Sequence, residues 1–139
     1  MKKTHEDLKI LGDSKAEYPR SPDEAVIETF ENRSPGRDYR VVFDCPEFTC
    51  LCPKTGQPDF GRVRISYVPG ERCIESKSLK FYLFSFRNEA MFNEEAANRI
   101  LDDLVAACGP ETMEIEAVFT PRGGIAITVR ALYPGEKGA

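Results

Sequence analysis

Cys52, Pro53, Lys54 and, seven residues beyond the cysteine, Asp59 are the part of this 139-residue chain best suited to chemistry. They belong to the run CPEFTCLCPKTGQPDF, residues 45–60. A thiol attacks only as its thiolate, and a neighbouring ammonium lowers its pKa from about 8.5. Lys54 supplies one. Fully extended, the Cys52–Asp59 spacing approaches ~23 Å, so the two cooperate only if the chain folds back, which Gly56 and Pro58 favour. A small core cysteine and a turn aspartate fit these two positions as well. The sole histidine, His5, lies in a polar tail, which disfavours a Cys–His hydrolase. What is left is a thiolate adding to an electrophile, with a carboxylic acid handling the proton.

Two further segments could bind anions. Glu75-Ser76-Lys77-Ser78-Leu79-Lys80 stands at a predicted helix start, where lysines, hydroxyls and free N–H groups suit a phosphate. A solvated, capped helix end fits it equally. Thr120-Pro121-Arg122-Gly123-Gly124 reads as a hairpin turn whose guanidinium and glycine backbone could also grip a phosphate.

Composition narrows the class. The net charge is -4, which gives no general reason to expect nucleic acid or an anionic membrane as partner. No apolar run approaches the ~20 residues of a membrane span, and the polar start MKKTHEDLKILGDSK lacks a signal-peptide core. The cytoplasm is the expected location. Five cysteines without a C-x2-C pair or nearby histidines argue against both a disulfide framework and a structural zinc. No metal is expected.

These side chains need a scaffold. Residues 1–36 read as an extended arm, with Ser21-Pro22-Asp23-Glu24 able to open a short helical turn ending near Arg33. Tyr39, Val41, Phe43 and Cys45 alternate as in a half-buried strand, and so do Val63, Ile65 and Tyr67. Residues 45–61 are rich in Pro and Gly and read as irregular. From Glu75 to Arg87 the stripe Leu79, Tyr82, Leu83, Phe86 predicts a helix. A second opens with Asn93 as N-cap, buries Ala97, Ile100, Leu101, Leu104, Val105 and Cys108, and stops at Gly109-Pro110. Met113–Phe119 and Ile125–Ala131 alternate again. The order ββααββ predicts an α+β fold, an antiparallel four-stranded sheet with both helices on one face. Such an open sheet has bare edges, which makes an oligomer plausible on physical grounds. The domain expectation is an arm (1–36), a catalytic domain (37–134) and a tail (135–139).

The runs FDCPEFTCLCPKTGQPDF, ESKSLKFYLFSFRNE and FTPRGGI together resemble the NADPH-dependent 7-cyano-7-deazaguanine reductases, the nitrile reductases of queuosine biosynthesis, in their single-module form. The resemblance runs from about Asp38 to Val129. It implies the tunnelling fold and a homo-oligomer with active sites between subunits. It implies Cys52 as the nucleophile that forms a thioimide and Asp59 as the acid. Substrate contacts would be Ile74, Glu75, Ser76, Asn93 and Glu94; contacts to NADPH, used twice per turnover, would be Ser76, Lys77, Arg122 and Gly123. The substrate implied is the small molecule 7-cyano-7-deazaguanine, with no nucleic acid bound. One departure is Asn93, where the family often has histidine: an amide cannot transfer protons near neutral pH, which throws weight on Asp59. Two alternatives stand beside this reading. One is an amidine-forming relative acting on nitrile-bearing tRNA; the other is a non-catalytic purine- or pterin-binding module of the same fold.

Overall fold

A computed structural model describes residues 17–135; residues 1–16 of the expected arm, His5 among them, and residues 136–139 of the expected tail lie outside the described residues. The strands are β1 (Thr29–Glu31), β2 (Val41–Leu51), β3 (Pro58–Val68), β4 (Arg72–Ile74), β5 (Thr112–Arg122) and β6 (Ile125–Tyr133), and the helices are α1 (Ser76–Phe84) and α2 (Asn93–Cys108). A four-stranded antiparallel sheet runs β2-β3-β5-β6, and β1 pairs with β4 in a second, two-stranded one. The α+β architecture and helix placement are as expected. The short β1–β4 ribbon was not.

Alternation decides which face is buried. Val63, Ile65 and Tyr67 of β3 and Met113, Ile115, Ala117 and Phe119 of β5 point into the core with Ile100 and Leu104 of α2. Their register sets Ile65 opposite Ile115 and Tyr67 opposite Met113. Full burial of each large aliphatic side chain contributes about 1.5–3 kcal/mol. The opposite face carries Arg62, Arg64 and Glu116, with ion pairs Arg62–Asp44 and, at 2.7 Å, Arg130–Glu114. Helix α2 lies over β5 and β6 but leaves the start of β6 bare: Ile125 is 69% exposed.

Four expectations need correcting. Residues 45–61 are not irregular. Strand β2 continues through Pro46 to Leu51 and pairs with β3 from Pro58 onward, the register shifting between Cys45 and Phe48. Pro46 lacks a donor, yet an edge strand absorbs it in a bulge, and Pro58 occupies a first strand position where no donor is needed. Likewise Thr120-Pro121-Arg122 belongs to β5, and the turn is Gly123-Gly124 alone, both left-handed (φ 57° and 79°). No helix forms over 21–33. After one turn at Ser21–Glu24, the backbone of Glu28 is captured by the Ser78 hydroxyl (2.9 Å) and the Glu75 amide (2.9 Å), and the chain enters β1. The first predicted helix ends early: α1 tightens into a 3-10 turn, Ser85–Asn88, as helix C-termini often do.

Candidate active site

The β2–β3 hairpin brings the sulfur and the carboxylate to one end of the sheet. Cys50 and Asp59 are directly paired across the ladder, two residues back from Cys52. The Cys52 amide donates to the Gln57 carbonyl (2.8 Å) and its carbonyl accepts from Gly56 (2.9 Å), closing the turn. Gly56 takes a left-handed φ of 70° there, which glycine adopts without steric cost.

Cys52 is half-buried, and its thiol is held below the ordinary range. The largest cause is a hydrogen bond with the Thr55 hydroxyl, followed by the backbone N–H groups of Thr55 and Lys54; the Asp59 carboxylate opposes them. The sequence pointed to the Lys54 ammonium, whereas this lysine acts through its amide. Thr55 was missed altogether. Its signal was a hydroxyl three residues after the cysteine in a turn-forming run, where such side chains bond back to their neighbours. Cys50 is fully buried and its thiol is pushed up to about 11 by burial, so it stays a core thiol.

Asp59 has only 13% of its side chain exposed and lies 3.2 Å from Arg122 Nε. Arg122 also donates to the Pro58 carbonyl (2.9 Å). Arg122 and the adjoining Gly123 therefore sit at the Cys52 end of the sheet. So does the start of α2. Leu51 donates to the Glu89 carbonyl (2.9 Å) and accepts from the Met91 amide (3.0 Å), which lays residues 89–91 beside β2 just ahead of Asn93. Asn93 is the first helical residue; the N-cap is Phe92, which contributes no side-chain bond. The Asn93 side chain is thus free of the capping duty expected of it, and its Oδ1 is buried without a partner among the described residues. Glu94 is exposed in the first turn, where a carboxylate suits the helix dipole.

Ile74, Glu75, Ser76 and Lys77 form a separate group. The Ile74 amide donates to the Tyr67 hydroxyl (2.9 Å), and Tyr67 stands about 26 Å along β3 from Asp59. Ile74 itself is a core residue. The helix start is not the open anion site expected: Glu75 caps it, accepting from the Lys77 and Ser78 amides at 2.7 Å each. Those bonds, the one from Lys77 first, hold its carboxyl below the usual range. Ser76 and Lys77 remain exposed. Beside them a cavity of about 560 Å³ is lined by Tyr18, Arg20, Glu24, Glu75, Lys77 and Phe81. Among the described residues, no hydrogen bond or ion pair joins this group to the Cys52 end of the sheet.

The family model for QueF-like proteins matches residues 58–137. The chain is 50% identical over 139 residues to the NADPH-dependent 7-cyano-7-deazaguanine reductase of Bacteroides fragilis, covering 99% of this chain and 91% of that one. It is also 50% identical over 133 residues to the enzyme of the same name from Bacillus cytotoxicus, covering 94% of this chain and 81% of the other. The chain belongs to this reductase family. Among solved structures, an archaeosine synthase QueF-like protein in its apo form superposes with a TM-score of 0.62 at 22% identity, covering 70% of this chain and 93% of that one. That likeness carries the tunnelling fold to this reductase-family chain and no more. No helix among the described residues is long and apolar enough to cross a membrane.

Proposed function

We propose that this protein reduces the nitrile of 7-cyano-7-deazaguanine to the aminomethyl group of 7-aminomethyl-7-deazaguanine, a step of queuosine biosynthesis, in the cytoplasm. The observation that carries the reading is the Cys52 turn, where a thiol stabilised as thiolate by Thr55 and two backbone amides lies within the field of the Asp59 carboxylate. Family relatives named for this reaction supply the substrate.

The Cys52 thiol gives its proton to the Asp59 carboxylate, and the resulting thiolate adds to the nitrile carbon. A sulfur–carbon bond forms, one π pair of the C≡N bond moves to nitrogen, and nitrogen takes that proton from Asp59, which returns to carboxylate. The product is a thioimide on Cys52. The hydrogen bonds that ready the sulfur for attack also make it a good leaving group when the bond to carbon breaks.

NADPH, when bound, supplies hydride, and two are needed because a nitrile stands four electrons above a primary amine. Ser76, Lys77, Arg122 and Gly123 fit this partner: an exposed ammonium, a guanidinium, a hydroxyl and a glycine turn are suited to phosphate oxygens. Glu94 accepts from the amino and ring N–H donors of the deazaguanine edge, and the partnerless Asn93 Oδ1 takes a further donor. A base lacking the donor for Asn93 would leave its buried Oδ1 unpaired, at a cost of about 1–3 kcal/mol.

The site is completed between copies in a homo-oligomer. Supporting this, the Glu75–Lys77 group lies far from Cys52 along the sheet, and among the described residues the strands at the two ends of the sheet order, β2 and β6, have one partner strand each. Incubation with 7-cyano-7-deazaguanine without NADPH, followed by intact mass measurement, tests the reading. The wild-type chain gains the mass of the nitrile, Cys52→Ala gains nothing, and with NADPH two equivalents are oxidised per product. Retention of turnover by Cys52→Ala overturns it.

A further inference from the structure

The Arg122 fork faces β3. Its Nε and Nη2 form one edge of the guanidinium, and both are engaged: Nε with Asp59 Oδ1 at 3.2 Å and Nη2 with the Pro58 carbonyl at 2.9 Å. A phosphate is held best when it accepts two parallel N–H bonds from one such edge. The edge suited to that is the one that grips Asp59 and its neighbour. Arg122 is also the last residue of β5, joined to the left-handed Gly123-Gly124 turn, and its side chain is 41% exposed. It can swing away from β3 without unpicking the core.

We infer that Arg122 is a positioning residue shared between Asp59 and the dinucleotide, so that a phosphate taking the Nε–Nη2 edge releases the Asp59 carboxyl for proton transfer to the nitrile nitrogen. The inference rests on the function proposed above and goes beyond it. Arg122 is there not only to hold the dinucleotide; it reports dinucleotide arrival to the acid. Before release, the carboxylate is held in its ion pair with Arg122, which is itself tied to the Pro58 carbonyl. After release, the carboxylate can turn, take the proton of the Cys52 thiol and hand it to the nitrogen as the sulfur attacks. The bonds made and broken in that addition are unchanged; only the availability of the proton donor differs. Cys52 addition is thereby favoured when a dinucleotide is already in place.

The test measures formation of the Cys52 adduct in a single turnover, by quenching and intact mass, with the full chain, 7-cyano-7-deazaguanine and oxidised NADP+, which has no hydride to give. In the wild type, saturating NADP+ accelerates adduct formation by about 1.5- to 5-fold, the range an ion pair of this exposure carries. Arg122→Met forms adduct without NADP+ at the accelerated wild-type rate and does not respond to NADP+. Arg122→Lys, with one ammonium and no fork, retains a smaller response. The dinucleotide-free rate of Arg122→Met separates this role from simple loss of binding, which would leave that rate at the unstimulated wild-type value and overturn the inference. A wild-type rate indifferent to NADP+ overturns it too, with the function intact. Absence of any adduct on Cys52 overturns both.

Discussion

The hydroxyl of Thr55 is hydrogen-bonded with the sulfur of Cys52, three residues back across the turn, and no other group does more to hold that thiol below its ordinary range. A depressed thiol pKa means more thiolate at any given pH. Alkylation of Cys52 followed against pH therefore has its half-point below that of a free cysteine. Thr55→Val moves the half-point up, and Thr55→Ser, which keeps the hydroxyl, leaves it near the wild-type value. Equal half-points in wild type and Thr55→Val would show that the backbone amides alone suffice.

The other thiols behave differently. Burial pushes Cys45, Cys50 and Cys108 each up to about 11, and Cys73 is buried beside the Tyr39 hydroxyl. Near neutral pH, brief treatment of the folded protein with iodoacetamide adds one label, and the same treatment of Cys52→Ala adds none. Peptide mapping that finds the label on Cys50 would contradict the burial of that strand.

Gly70 is indispensable for a different reason. A Cβ at this position would stand 2.6 Å from the Gly109 carbonyl oxygen, a backbone atom fixed at the end of α2. The Gly70 carbonyl also receives the Asn32 amide at 2.8 Å, tying the arm to the same spot. Gly70→Ala destabilises the fold by about 1–3 kcal/mol, seen as a Tm lowered by several degrees.

Asn93 shows the reverse trade. Its buried Oδ1 has no partner among the described residues, and an unmet acceptor of this kind costs about 1–3 kcal/mol. Asn93→Ala leaves the urea midpoint unchanged or raises it while weakening the nitrile base, raising KM. A variant that lost stability and kept its KM would place the amide in the scaffold and not in recognition.

Periodicity carried most of the scaffold. The alternation of Val63, Ile65 and Tyr67 and the α2 stripe through Ile100 and Leu104 reported faces that are buried in the folded chain. Proline hid the rest. Pro46 and Pro58 made a long hairpin look irregular, because a bulge on an edge strand and a first strand position tolerate what a strand interior does not. Strand β4 is three residues long, too short to show a period. At the site, the Cys52–Asp59 spacing suggested partnership, and pairing of Cys50 with Asp59 supplies the fold-back it required. The capping of α1 by Glu75 and the gap between Glu75 and Cys52 depend on the tertiary path and left no local mark.

The stitch between Leu51 and residues 89–91 acts as a ruler. Because β2, which ends one residue before Cys52, is tied by two backbone bonds to the segment that launches α2, neither can drift without dragging the other. The backbone span from Cys52 to the first turn of α2 is then governed by main-chain bonds that side-chain substitutions nearby barely touch. Under the proposed function, a base of different width would meet a gauge that does not adjust.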